Sequence, residues 1–222
     1  MKIALITYAS KCFKYSYADS DRYFKYAERL KESLNQVNFS GDFYLFTEQN
    51  LDFPSHELVP YAFKPYAIKK VKDMGYDIVI WVDSSIVAFK ELNNFIEFVN
   101  KTGFVFFDNI GYSIADFTNK TCLDKMNFTD EEAKNNPMIM ACLMAFNFNN
   151  QIACDIFNDY FNSAIPEIYY GSWQNHRHDQ SAMSIILAKK GIKPLHPHST
   201  FFAYPFNEGH KPESQTVCFH NL

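Results

Sequence analysis

Hydrophobic positions along the chain fall into two patterns, and the two alternate. Unbroken apolar runs predict buried strands at residues 2–8 (KIALITY), 42–48 (DFYLFTE), 77–82 (DIVIWV), 103–108 (GFVFFD) and 138–148 (MIMACLMAFNF). Between the runs, apolar residues recur at steps of three and four and predict helices. Tyr23, Ala27, Leu30, Leu34 and Val37 form one stripe, and Leu92, Phe95, Ile96 and Val99 form a second over 91–99. Pro65 suits the first turn of a helix over 63–75, and Gly75 suits the position past its end. Ile152, Ile156, Phe157 and Tyr160 predict the inward face of a helix over 150–163. A last helix, read as amphipathic, begins near Asp179 and stops at Gly191. Residues 109–136 are the least regular, with one short helix signalled by a capping box of Thr129 and Glu132. TVCFH at 216–220 is a strand candidate near the chain's end.

Strands alternating with helices predict an α/β fold, one domain around a mostly parallel, mixed sheet flanked by helices. Ligands in such sheets collect beyond the C-terminal ends of the strands. That rule brings four segments together: 8–18, 83–90, 109–137 and the turn before 178.

Composition narrows the function classes. The 222 residues are 47% hydrophobic and 21% charged, which is globular and long enough for one sizeable core. The net charge of −4 argues against a large nucleic-acid footprint. No run is long enough to span a membrane, the apolar start reads as a strand and not a signal peptide, and the five unpaired-looking cysteines read as reduced thiols, so a cytoplasmic protein is expected. Only three arginines occur, Arg22, Arg29 and Arg177, and the last lies in the richest polar stretch.

Two constellations carry the candidate chemistry. In IVIWVDSS an apolar strand ends directly in Asp83, followed by Ser84 and Ser85. A carboxylate there can hold a hard divalent cation that also binds a diphosphate; the competing reading is an Asp that caps the next turn. In GSWQNHRHDQS, Asp179 and Gln180 open a helix, where the dipole favours a carboxylate or a bound anion, with His176, Arg177 and His178 beside them. Asn147 and Asn149, at the end of the 138–148 run, either bind sugar hydroxyls or simply end the strand. His-x-His pairs at 176–178 and 196–198 have the spacing of zinc ligands but lack a third partner nearby.

KPYAIKKVKDMGYDIVIWVDSSIVAFKELNNF resembles the central block of GT-A glycosyltransferases, in which a strand ends in an Asp-x-Asp metal motif. Here the third position is Ser85. HDQS resembles the DQ motif of retaining enzymes and also the acidic helix start of inverting ones; VCFHN, with His220, is similar to the closing metal ligand of family-eight-like retaining transferases. The resemblance implies a metal-dependent hexosyl transfer from a nucleotide-sugar, a UDP-sugar above all, to a glycan or other hydroxyl acceptor. Residues 1–110 are then the nucleotide-sugar half and 111–222 the acceptor and catalytic half. It implies Asp179 and Gln180 at the reaction centre; Thr7, Tyr8, Ala9, Ser10, Lys64, Asp83, Ser84, Ser85 and Arg177 around the donor; and Asn147, Asn149 and His178 around the acceptor. Asp83, Ser85 and His220 are left to hold manganese or magnesium. The DQ pair favours retention of the anomeric configuration. The missing second Asp keeps open an alternative, a degenerate module that binds a nucleotide or glycan without turnover. A nucleotidyltransferase is disfavoured, because no glycine-rich loop follows the first strand.

Overall fold

The computed structural model describes residues 1–11, 21–196, 201–203 and 219–221. The expected strands all form: β1 (Ile3–Tyr8), β2 (Asp42–Phe46), β3 (Ile78–Val82), β5 (Phe104–Ser113) and β6 (Pro137–Asn147). So do the expected helices α1 (Arg22–Gln36), α2 (Phe63–Asp73), α3 (Asn93–Thr102), α5 (Asp130–Asn135), α6 (Gln151–Asn162) and α8 (Asp179–Lys189). The capping box of α5 is present, with the Thr129 hydroxyl and the Glu132 carboxylate exchanging hydrogen bonds with each other's backbone. Among the described residues, five short elements depart from the expected pattern: β4 (Ile86–Ala88), a 3-10 turn (Ile114–Phe117), α4 (Lys120–Lys125), α7 (Pro166–Tyr169) and β7 (Phe202–Ala203). The last strand, β8, covers Phe219–Asn221, so only the end of the expected 216–220 strand lies within the described residues.

The main sheet runs β2-β1-β3-β6-β5. β1 is parallel to β2 and β3, while β6 is antiparallel to both β3 and β5, so four of the five strands point the same way. β6 comes from the second half of the chain yet sits between β3 and β5, so the two halves share one sheet.

Strand alternation sorts the core into two layers. Ile78, Ile80 and Val82 of β3 face α1, α3 and the small sheet β4-β8-β7. Val79 and Trp81 face α2, α6, α7 and α8. Helix α8 is not amphipathic as expected: every residue from Ser181 to Leu187 is buried. Its polar exceptions are accommodated by hydrogen bonds, since the Ser184 hydroxyl donates to the Gln180 carbonyl and accepts from the Ile139 N–H of β6. Ile152 also departs from expectation; it is exposed, and Ala153 takes the inward position beside Ile156, Phe157 and Tyr160.

Candidate functional site

The parity that sends Trp81 toward α2 and α8 also sends Asp83 there, two residues on. Lys64 reaches the same place from the first turn of α2, and Asp179 from the first residue of α8. The Lys64 ammonium lies 3.2 Å from Asp83 Oδ1 and 3.4 Å from Asp179 Oδ2, and it donates to the Ala141 carbonyl of β6 at 3.0 Å. Trp81 Nε1 donates to Asp83 Oδ1 at 2.9 Å, and the Tyr160 hydroxyl donates to Asp179 Oδ2 at 3.1 Å. The rings of Tyr61 and Trp81 stand 5.5 and 5.6 Å from the same ammonium. One cation thus joins two carboxylates, at the C-terminal end of β3, where the α/β rule places function.

The three charges are not equally covered. The side chains of Lys64 and Asp179 are 5% and 4% exposed, whereas that of Asp83 is 36% exposed. Asp83 therefore forms the open mouth of the site and Asp179 its floor. Burial pushes Asp179 up to about 6, against the pull of Lys64. Burial alone would lower the Lys64 pKa; the charges of Asp179 and then Asp83 outweigh it and hold the ammonium well above the ordinary lysine value.

The segments around this triad are fixed by backbone contacts. Arg29 of α1 donates to the Ser85 carbonyl at 2.7 Å and the Ser33 hydroxyl accepts from the Ala88 N–H, so α1 anchors the turn after Asp83. Before Asp179, His178 Nδ1 donates to the Tyr169 carbonyl at 2.7 Å. His176 accepts from the Asn119 N–H at Nδ1, which leaves Nε2 to donate to the Ile168 carbonyl at 2.7 Å. Burial holds His176 down at about 4 and also lowers His178. Tyr61 and His178 stack with ring centroids 5.1 Å apart and 21° between planes. Both have positive φ, 63° and 50°, a conformation costly for side-chain-bearing residues and concentrated at functional sites.

Other expected residues are placed as follows. Tyr8 stacks on Phe63, next to Lys64, and Ala9 is buried with its N–H on the Phe46 carbonyl. Thr7 is fully buried on the opposite face, sharing Leu5's side, and its hydroxyl has no hydrogen-bond partner among the described residues. Ser10 is half-buried, and residues 12–18 of that loop lie outside the described residues. Ser84 is buried; Ser85 and Gln180 are half-buried. Arg177 packs over Trp173 and Phe117. His178 points inward and is buried. Asn147 and Asn149 are not brought to the triad. Antiparallel pairing sets Asn147 opposite Ile78, at the far end of β3 from Asp83. There Asn147 bonds Asn100 and the Asn149 N–H, and Asn149 bonds Asp77.

Among the described residues no three His, Cys, Asp or Glu side chains converge as a metal site. Each of His176 and His178 commits a ring nitrogen to a backbone carbonyl. A single exposed carboxylate at a strand end does fit a hard cation that shares its shell with substrate phosphates, a common arrangement for magnesium. Asp83 is such a carboxylate. The backbone of His220 pairs with that of Val87 on β4, which follows the turn at Ser84 and Ser85.

A glycosyltransferase involved in the glycosylation of the major capsid of PBCV-1 matches 100% of this chain and 93% of its own, with a TM-score of 0.56 at 12% identity. The fold is that of solved glycosyltransferases. The apo structure of the bifunctional glycosyltransferase WbbM matches 90% of this chain with a TM-score of 0.55 at 12% identity, and this chain spans 39% of its length. No family model matches the chain, and no curated protein matches its sequence. No helix among the described residues is long and apolar enough to cross a membrane.

Within this glycosyltransferase fold, sequence reading had singled out all three members of the triad but not the aromatic and phenolic groups that hold them. Trp81 was detectable, because a residue two before Asp83 on a strand shares its face. Tyr160 was detectable as an inward phenol that needs a partner for its hydroxyl. Tyr61 carried no such signal, since nothing in its neighbours announces a positive φ.

Proposed function

We propose that this protein is a GT-A-type glycosyltransferase that moves a sugar, a hexose, from a nucleotide-sugar to a hydroxyl of a glycan or similar acceptor. The observation that carries the reading is the Lys64 ammonium set between Asp83 and Asp179, at the strand ends of a fold shared with solved glycosyltransferases.

In this reading the donor lies against the Tyr8–Ser10 end of β1, with its diphosphate toward Asp83; the nucleotide is expected to be UDP. Asp83, with Ser85, His220 and the donor's own phosphate oxygens, would hold manganese or magnesium, which supplies positive charge to the leaving diphosphate. Lys64 adds a fixed cation beside it and keeps the carboxylate of Asp179 charged and oriented. Tyr160 fixes the other direction of that carboxylate. Transfer of this kind needs positioning and charge control more than covalent chemistry from the protein.

Asp179 is too enclosed to meet an acceptor hydroxyl directly in this conformation, because Tyr160 and Lys64 both bond Oδ2 and the side chain is 4% exposed. A general base must come within hydrogen-bond reach of the proton it takes. The enclosure supports an electrostatic role for Asp179 behind Lys64, and the likeness of Asp179 and Gln180 to the DQ pair of retaining enzymes is what favours retention of the anomeric configuration. The reading is tested with purified protein, a panel of nucleotide-sugars and manganese, scored for release of the nucleoside diphosphate. Slow release that stops on chelation is expected. Nucleotide binding with no hydrolysis or transfer from any donor would establish the non-catalytic module instead.

A further inference from the structure

The stretch that leads into Asp179 carries an aromatic surface beside the candidate site. Trp173 and Tyr170 are 56% and 67% exposed, and Tyr112, at the end of β5, is 47% exposed. Trp173 and Tyr112 are not scattered single residues, which would need no explanation, because contacts join them. The Arg177 guanidinium lies 3.3 Å from the centre of the Trp173 ring and 4.4 Å from that of Phe117. Phe117 in turn meets Tyr112 at 5.1 Å. Four planar groups therefore follow one another in contact, from Trp173 to Tyr112.

Two features tie this strip to the candidate site. Arg177 is fixed in place by its N–H, which donates to the Phe117 carbonyl at 3.0 Å, and Asp179 is two residues further on. Two virtual bonds of 3.8 Å limit the Cα separation to about 7.6 Å. At the other end, Tyr112 borders an open depression of about 340 Å³ lined by polar side chains, among them Asp108, Ser113, Asp116, Lys134 and Asn136. β5 points the same way as β3, so this end of β5 and Asp83 lie at the same edge of the sheet.

We infer that the strip from Trp173 through Arg177 and Phe117 to Tyr112, with the polar depression beyond it, binds a neutral oligosaccharide acceptor. The inference rests on the transferase reading for the word acceptor, but not for the binding itself. Since Arg177 covers one face of Trp173, its exposed area lies on the other face and edge, a surface on which the C–H face of a sugar ring stacks. Aromatic side chains with one apolar face and a wet rim suit ligands that are apolar on one side and hydroxylated on the other. A run of four planar groups is longer than one sugar ring, which selects an oligosaccharide over a monosaccharide. The mixed lining of the depression offers hydrogen-bond donors and acceptors to its hydroxyls.

The protein contains only two tryptophans, and Trp81 is buried, so quenching of exposed tryptophan emission by acrylamide reads Trp173 alone. Cellotriose, maltotriose, N-acetylchitotriose and mannotriose are titrated without any nucleotide-sugar, and binding is followed in parallel by saturation-transfer NMR. At least one trisaccharide is expected to shield Trp173. W173A is expected to weaken its binding by about tenfold, while W173F, which keeps a ring, loses much less. Y112A is expected to weaken the trisaccharide more than the corresponding monosaccharide. The inference is overturned if no trisaccharide shields Trp173, if W173A binds as the wild type does, or if Trp173 becomes shielded on raising protein concentration alone, which would mark a self-association surface. Because no donor is present, failure of nucleotide-sugar turnover would sink the transferase reading and leave this result standing.

Discussion

Lys64 and Asp179 lie 3.4 Å apart between Nζ and Oδ2, both buried, one in the first turn of α2 and the other at the start of α8. The pair pins two helices that flank the same face of the sheet. Breaking a buried pair from one side leaves an uncompensated charge and costs about 3–5 kcal/mol. Lys64→Met is therefore expected to lose that order of stability in chemical denaturation at neutral pH. The folded-state pKa of Asp179 is already raised to about 6 and rises further without the lysine. A group with a raised folded pKa binds protons more readily when folded, so acidification favours the folded state through it. The deficit of Lys64→Met should accordingly shrink near pH 5. Equal deficits at both pH values would mean that Asp179 is not the group left unpaired.

Asp179 should also set the acid side of activity. Its carboxylate is the ionised form that Lys64 and Tyr160 orient, and it is protonated below about 6. The kcat profile is expected to fall on the acid side with an apparent pKa near 6, although the folded state gains from the same protonation. Asp179→Asn should lower kcat strongly, with far less effect on nucleotide affinity. A collapse of nucleotide affinity with normal residual turnover would assign Asp179 to the donor phosphates.

The elements around this pair were legible because each rested on a local rule. The runs at 77–82 and 138–148 read as buried strands from their unbroken apolar character, and Asp83 stood out because an acid ended such a run. What could not be read was direction. Sequence patterning does not distinguish a parallel from an antiparallel neighbour, and the antiparallel placement of β6 carries Asn147 and Asn149 away from Asp83. Helix α8 misled for a related reason. Ser181 and Ser184 look like a polar face until their hydroxyls are seen bonded to the Phe117 and Gln180 carbonyls within the core. The joining of Lys64 to both acids depends on crossover geometry between distant segments, which no local pattern encodes.

Asp83 tests the donor side. Asp83→Asn keeps the shape and the acceptor for Trp81 Nε1 while removing the charge beside Lys64. Manganese-dependent binding of a nucleoside diphosphate, followed by calorimetry, should weaken by about tenfold or more. The fold should survive, since Lys64 retains Asp179 and the Ala141 carbonyl. Ser85→Asp should tighten the same binding if the Ser85 side chain turns into the site. Unchanged manganese-dependent binding in Asp83→Asn would remove this residue from the cation's shell.

His176 offers a pH test that is independent of activity. Its folded pKa is lowered to about 4 by burial, so between about 6.5 and 4 the unfolded chain takes up a proton that the folded chain does not. The sign is thus opposite to that of Asp179: stability from this group is present at neutral pH and is lost as pH falls through that window. A shift of that size corresponds to about 3 kcal/mol. His176→Asn should be less stable than the wild type at pH 7, because the bonds to Asn119 and Ile168 are weakened. It should also show a flatter decline toward pH 4. A variant with the wild-type slope would mean that some other group dominates acid unfolding.

The strand that carries His220 lies beside the segment that follows Asp83. β8 runs antiparallel to β4, with His220 paired to Val87 and Asn221 to Ile86. β4 follows the turn of Ser84 and Ser85, and Asp83 stands without a second acid in that turn. An imidazole nitrogen suits manganese better than magnesium, which keeps to oxygen ligands. A ligand role for His220 predicts that its loss weakens the cation without touching the nucleotide contacts. His220→Ala is therefore expected to shift the manganese dependence of nucleoside diphosphate binding upward by about tenfold, to be restored at saturating manganese, and to affect magnesium-supported binding less. Removal of Leu222 alone should have a smaller effect. A His220→Ala protein that follows the wild-type curve across a manganese titration would limit β8 to a structural role, closing the small sheet over Phe95 and Phe201, and the cation would then depend on Asp83 and the diphosphate alone.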